Sequence, residues 1–478
     1  MKIYHFLILS LLAMCFTGCQ QDSWITLFDG ETMNGWEASE NIDSWKIEDG
    51  ALVTSGPRSH LFYAGDVSNH DFRNFEFMAD VKTEPGSNSG IYFHTEFQEE
   101  GWPANGYECQ VINSSGDKEP GEYIEHKMTG SIYAIRNTWK SPVPDNEWFN
   151  YRIVVQGKTI ETYINEELIA EYTEPEDPSR DVEWIGRTLS SGTFALQCHD
   201  PGSKVYYKNI RVKPLPDDLT TPGNPPEDLE FEKELLALAG INYPMLDLHV
   251  HLKGELTMED ALANARKYGF TYGLAVNCGL NMTLESDSAA AEFLRTYKKP
   301  AHTWLAMQAE GREWLDLFSP EIISQFDYVF ADAMTWTNDN GMRMRLWIPE
   351  ETEVGDPQDF MEQLVDRTEK ILNNEPINIY VNPTYIPEEI RDMYDELWTS
   401  ERMDRVITAL FENNIALEIN NRYRIPSPTF LQKAKLAGVK FTFGTNNTGK
   451  DDLGRMDYAI EMITECGLTA ADMWMPDK

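Results

Sequence analysis

Residues 214–226 read Pro-Leu-Pro-Asp-Asp-Leu-Thr-Thr-Pro-Gly-Asn-Pro-Pro. Proline removes the amide donor that helices and ladders need, so this stretch sustains neither. The hydrophobic pattern differs on its two sides, and the break therefore separates two folding units. Before it come short runs of two-residue period, bounded by turn signals such as Asp29-Gly30, Asp49-Gly50, Pro85-Gly86, Glu119-Pro120-Gly121, Gln156-Gly157 and Pro201-Gly202. Runs 151–156 and 159–164 alternate about Gly157-Lys158, a hairpin. With no long amphipathic helix in sight, the first unit is expected to be an all-β sandwich.

After the break and a short helical approach at 227–239, apolar strand cores recur at 245–250, 271–276, 302–307, 328–330, 377–381, 415–419 and 439–443. Helical periodicity fills most of the gaps, as at 258–268 and 360–372. Seven strand–helix repeats predict a barrel-like α/β unit. Its chemistry is expected at the C-terminal strand ends, which carry Asp247, His249 and His251; Asn277 and Cys278; Gln308 and Glu310; Asp332; Asn382; Glu418 and Asn420; Asn446 and Thr448.

The 478 residues include 79 acidic and 40 basic side chains, a formal charge of −39. Nucleic acid is excluded as a partner, because its phosphates would be repelled. The start of the chain places Lys2 before an apolar run from Ile3 to Cys15 and then Phe16-Thr17-Gly18-Cys19. That run is too short to span a bilayer, and its position predicts a signal peptide over 1–18 with lipidation of Cys19 and a tether at 19–23. The expected location is the cell envelope, lipid-anchored to the outer membrane on its periplasmic or outer face. Cys109, Cys198, Cys278 and Cys466 show no short paired spacing; Cys109 and Cys198 could pair, and buried free thiols are the expectation.

The octapeptide Gly106-Tyr107-Glu108-Cys109-Gln110-Val111-Ile112-Asn113 alternates Tyr107, Cys109 and Val111 on one face with Glu108, Gln110 and Ile112 on the other. One face can enter a core while an acid and an amide are offered together. A neighbouring strand, Ser87-Asn88-Ser89-Gly90-Ile91-Tyr92-Phe93-His94, aligns Asn88, Tyr92 and His94, and 193–200 aligns Gln197 with His199. Together with Leu27-Phe28-Asp29-Gly30, Trp45-Lys46-Ile47-Glu48-Asp49-Gly50, Ser131-Ile132-Tyr133 and Tyr207-Lys208-Asn209-Ile210-Arg211-Val212, these motifs make residues 24–215 resemble the 3-keto-disaccharide hydrolase domain family.

The resemblance implies a concanavalin-like jelly-roll sandwich acting on glycosides already oxidised at C3. The C3 ketone acidifies the C2 proton, so a base can remove it, donors or a metal hold the enediolate, and the C1 substituent leaves by elimination before water adds. His199 is the candidate base or metal ligand, and Glu108 a ligand or partner base. Asn88, Gln110, Tyr133 and Gln197 are the candidates for holding hydroxyls.

In the second unit, Asp247-Leu248-His249-Val250-His251, Ala309-Glu310-Gly311, Leu417-Glu418-Ile419-Asn420 and Phe443-Gly444-Thr445-Asn446-Asn447-Thr448 make residues 241–478 resemble the polymerase-and-histidinol-phosphatase (PHP) superfamily, a seven-stranded distorted barrel of metal-dependent phosphoesterases. The departures are Val276-Asn277-Cys278, Ala333-Met334-Thr335 and Thr445-Asn446-Asn447-Thr448, where that superfamily carries acid and imidazole ligands. Neutral amides serve a multi-metal centre poorly. His249, His251 and Glu310 are therefore expected to hold at most one divalent ion, weakly, and the barrel to be accessory to the sandwich. The competing function is a non-catalytic carbohydrate-binding sandwich attached to a metal-dependent hydrolase.

Overall fold

The computed structural model describes residues 24–116, 122–338 and 340–476. Cys19 and the tether lie outside these. Residues before the proline-rich break build two antiparallel sheets. The larger runs in the order Glu167–Thr173, Thr159–Ile164, Phe149–Gln156, Phe75–Thr83, Lys204–Pro214, Ala51–Ser55, Trp45–Glu48, with Ile25–Thr26 beside Lys204–Pro214. The smaller runs Trp36–Ala38, Ser59–Tyr63, Thr193–Cys198, Ser89–Thr95, Tyr107–Val111. Inward-pointing side chains of both sheets form one core. Phe194 sits at its centre, with the rings of Phe72, Phe75 and Phe77 at centroid distances of 4.7, 4.8 and 4.8 Å. Each such ring removed from water contributes about 2 kcal/mol.

The seven expected strands of the second unit are all present and all parallel, in sequence order: Leu246–Val250, Thr271–Gly279, Trp304–Glu310, Tyr328–Ala331, Ile379–Tyr380, Ala416–Asn420, Phe441–Gly444. The last returns to the first. Thr445 N donates to Asp247 Oδ1 at 2.9 Å and Asn446 N to His249 O at 3.0 Å, so the barrel is nearly closed. Helix Met258–Tyr268 begins at a Thr257–Asp260 capping box and ends at Gly269, whose φ of 74° is left-handed.

The proline-rich segment carries no helix or strand until Leu229–Gly240, yet it is pinned to the sandwich. Asn74 Nδ2 donates to Pro216 O at 2.8 Å, Gln156 Nε2 to Thr220 O at 2.8 Å, and Gly223 N to Thr159 Oγ1 at 3.1 Å. Side chains satisfy backbone groups that prolines exclude from a ladder. The two units also share a buried joint. The Trp139 indole is buried in the barrel's core and donates to Gly269 O at 2.9 Å, and Arg136 Nη2 meets both Glu232 oxygens at 2.8 and 2.9 Å. Cys109, Cys198, Cys278 and Cys466 are free and buried.

Candidate active site in the sandwich

Alternation along Tyr107–Val111 sends Tyr107, Cys109 and Val111 into the core. Glu108 and Gln110 face a cavity of about 550 Å³. Asn88, Tyr133, Gln197 and His199 line the same cavity, so the six residues given catalytic or hydroxyl-holding roles in this unit converge, with Tyr92 beside them. Tyr133 arrives because its segment runs beside the strand, with Tyr133 N donating to Glu108 O and Gln110 N to Ser131 O, each at 2.9 Å. Gly90 leaves room for the acid: a Cβ there would lie 2.5 Å from Glu108 Oε1.

Glu108 is 5% exposed. A carboxylate at that depth needs partners. Gln197 Nε2 donates to its Oε1 at 2.9 Å and Arg187 Nη2 to its Oε2 at 3.3 Å. Gln110 Nε2 donates to Asn88 Oδ1 at 3.2 Å. Gln110 Oε1, Gln197 Oε1 and Arg187 Nη1 are buried with no protein partner. Buried polar atoms are nearly always satisfied, so these two acceptors and one donor among the cavity's own residues are left for water or a polar ligand.

His199 is a third exposed in its side chain, and its Nδ1 lies 2.7 Å from Asp200 Oδ2. Burial raises the cost of charging Asp200, but bonds from His199, Gly202 N and Ser203 Oγ outweigh it and hold the carboxyl below its usual range. Such a partner fixes the imidazole with Nε2 outward, the arrangement of an oriented general base. On the other wall Glu125 accepts from Tyr133 OH at 3.0 Å, Tyr123 OH at 2.9 Å and Lys127 Nζ at 3.0 Å. Burial first, then Glu125, pushes the Tyr133 phenol far above its normal range, so it stays protonated. Trp102, 5.1 Å from the His199 ring, and Trp184, 5.7 Å from the Tyr133 ring, give the cavity two indole faces for sugar rings.

Residues 23–213 match the 3-keto-alpha-glucoside-1,2-lyase-like domain family. A 3-keto-disaccharide hydrolase of Bacteroides thetaiotaomicron is 28% identical over 234 residues, covering 41% of this chain and 79% of that protein. Among solved structures, a candidate glycosyl hydrolase of Parabacteroides distasonis is similar at 24% identity over 40% of this chain and 94% of its own, TM-score 0.34. A carbohydrate-binding module of Bacillus subtilis is similar at 13% identity over 37% and 95%, TM-score 0.25. The matched region thus spans both sheets and every residue of the cavity named above.

Within the lyase-like domain several contributors escaped the sequence. Arg187, Glu125 and Lys127 lie in irregular segments without periodicity, and Asp200 belongs to a turn motif. His94 does not join Tyr92 on the cavity face. At φ 55° it breaks the alternation beside a bulge, and its Nε2 meets Arg73 O at 2.9 Å. A contribution from outside the domain was also invisible: Asn242 Oδ1 accepts from His126 N at 3.0 Å and its Nδ2 donates to Ile124 O at 2.8 Å, clamping the loop that bears Glu125.

At the barrel mouth, His251 and Glu310 line a second cavity of about 490 Å³. His249 packs against His251 with ring centroids 5.2 Å apart, but its Nδ1 is held by Glu418 Oε1 at 2.6 Å. Glu310 accepts from the amides of Asn277 at 3.2 Å and Gln308 at 2.8 Å; burial, then the Asp332 charge, lifts its carboxyl to about 7. Burial, then His249, keeps His251 neutral. Among the described residues no three His, Cys, Asp or Glu side chains are grouped to hold a metal ion. Amides stand where ligands would be needed, so the residues present do not fit a multi-metal centre.

Proposed function

We propose that this chain cleaves 3-keto-glycosides in the sandwich cavity by proton abstraction at C2, elimination at C1 and hydration. The observation that supports this best is the shared cavity: an imidazole oriented by Asp200 and an ion-paired Glu108 line it together with the open Nη1 donor of Arg187. His199 Nε2 takes the C2 proton. The charge that develops on the C3 oxygen meets Arg187 Nη1, a donor already in position and shielded from water. The enediolate's electron pair then expels the C1 oxygen, which leaves as an alcohol with the proton carried by His199. Water adds to C1 of the resulting enone, Glu108 accepts its proton, and a solvent-derived proton returns to C2. Glycoside and water become a 3-keto-sugar and an alcohol, so the steps balance.

Asn88, Gln110 and Gln197 would hold ring hydroxyls, with Trp102 and Trp184 as stacking faces. No step passes through a metal. In this reading the PHP-like barrel is accessory: Asn242 and helix Leu229–Gly240 brace the cavity wall. Lipidation at Cys19 tethers the protein to the outer membrane, and Cys19→Ala would release it from the membrane fraction. The test of function is turnover of a panel of 3-keto-glycosides with and without chelator. Cleavage that survives chelator and falls about a hundredfold or more in His199→Ala and Glu108→Gln supports the reading. Saturable binding of the sugars without turnover would make the sandwich a binding module instead.

A further inference from the structure

The barrel mouth has a charge distribution that folding does not explain. On one side, Glu310 and Asp332 are buried, supported by amides and main-chain donors: Asn382 Nδ2 and Met334 N each lie 2.8 Å from an Asp332 oxygen. Arg312, whose charge reaches both carboxyls, is hydrogen-bonded to Glu375 at 2.6 Å and to the main-chain oxygen of Asp332 at 3.0 Å. On the other side, Lys253 and Arg422 line the same cavity, and the Lys253 ammonium feels the Asp452 charge as well as that of Arg422. Among the described residues neither is ion-paired, in a chain whose acids outnumber its bases 79 to 40. Two cations on one rim favour an anion between them, and buried carboxyls held by neutral amides keep acceptor capacity for hydroxyl groups.

We propose that this cavity is a second ligand site, for a monosaccharide-sized polyol bearing one anionic group. The acid binds at Lys253 and Arg422; the hydroxyls bind at Glu310, Asp332 and the carboxamides of Asn382 and Asn446. The volume of about 490 Å³ suits such a molecule with a few waters. Asn446 Nδ2 and Asn420 Nδ2 both donate to Asn382 Oδ1, at 3.1 and 3.0 Å, so the polar floor is fixed before a ligand arrives. A bare divalent cation would use only the acidic side and would face two positive charges across the cavity. A neutral sugar would leave Lys253 and Arg422 unanswered.

Calorimetric titration of the full chain with gluconate, glucose 6-phosphate and glucose tests this. Saturable binding of either acid at millimolar concentration or tighter, at least tenfold above glucose, is expected, and the ratio of the two tells carboxylate from phosphate. Lys253→Gln with Arg422→Gln, both rim substitutions, should remove the preference over glucose, and Asp332→Asn should weaken acids and glucose alike. A Glu108→Gln/His199→Ala chain should bind as wild type, which separates this site from the sandwich cavity. No saturation by either acid, equal affinity for glucose, or binding lost in the Glu108/His199 chain but kept in the rim variant would overturn the proposal.

Discussion

The two cavities are similar in size, about 550 and 490 Å³, and both are floored by buried carboxyl groups, yet they treat charge differently. In the sandwich each buried acid of the cavity has a cation: Arg187 for Glu108 and Lys127 for Glu125. At the barrel mouth Glu310 and Asp332 are served by amides, and both carboxyls are pushed upward, Glu310 to about 7. A cation compensates the desolvation of a carboxylate and an amide does so only in part. The sandwich therefore keeps ion pairs beside His199, the proposed base, which suits a reaction that develops an oxyanion. The barrel mouth holds groups that can exchange protons or hydrogen bonds with a ligand.

The sharpest way to break this contrast is Arg187→Lys. The variant keeps a cation for Glu108 but loses the second N–H of the guanidinium fork. Turnover should fall by roughly 10²–10³, with little change in melting temperature, as for removal of an oxyanion donor. Unchanged turnover would mean the open Nη1 is not part of the chemistry.

Glu310→Gln tests the other half. The folded carboxyl sits near 7 against an ordinary 4.5, so the folded state holds a proton that the unfolded state releases across that window. Wild-type stability should therefore fall as pH rises from about 4.5 to 7, by a few kcal/mol. The variant should lose that contribution and gain on wild type at pH 8. Thermal melts of both chains against pH check it, and parallel curves would contradict it.

Gly90→Ala is the mildest probe. Its Cβ would meet Glu108 Oε1 at 2.5 Å, so the carboxylate must swing from Gln197. A loss in turnover of about tenfold is expected with the sandwich folded, on the usual cost of a small misplacement.

How much of this was legible depended on periodicity. The seven barrel strands stood out because each is buried on both faces and therefore carries an apolar core, with its polar residues gathered toward the site end. Glu108 and Gln110 stood out because they interrupt a strand's alternation with polar groups on one face. Arg187 and Glu125 did not, since they sit on irregular backbone where no period says which way a side chain points. His94 misled for a related reason: a bulge between Tyr92 and Thr95, opposite Thr193 and Ala195 of the next strand, shifts the phase, and a residue two along from Tyr92 no longer shares its face. Asn242 was beyond reach, because its role depends on a contact between units 116 residues apart in sequence.

Elimination and rehydration at C2 require the product to take a hydrogen from solvent, and cleavage of a 3-keto-disaccharide in D₂O reads that hydrogen. In the proposed sequence the original C2 proton leaves with the alcohol and the replacement comes from solvent. The released 3-keto-sugar should therefore carry one deuterium at C2 at every turnover, seen by mass spectrometry at early times, and His199→Ala should abolish both cleavage and incorporation. A product released by wild type with its C2 hydrogen unexchanged would contradict the account and point to direct hydrolysis.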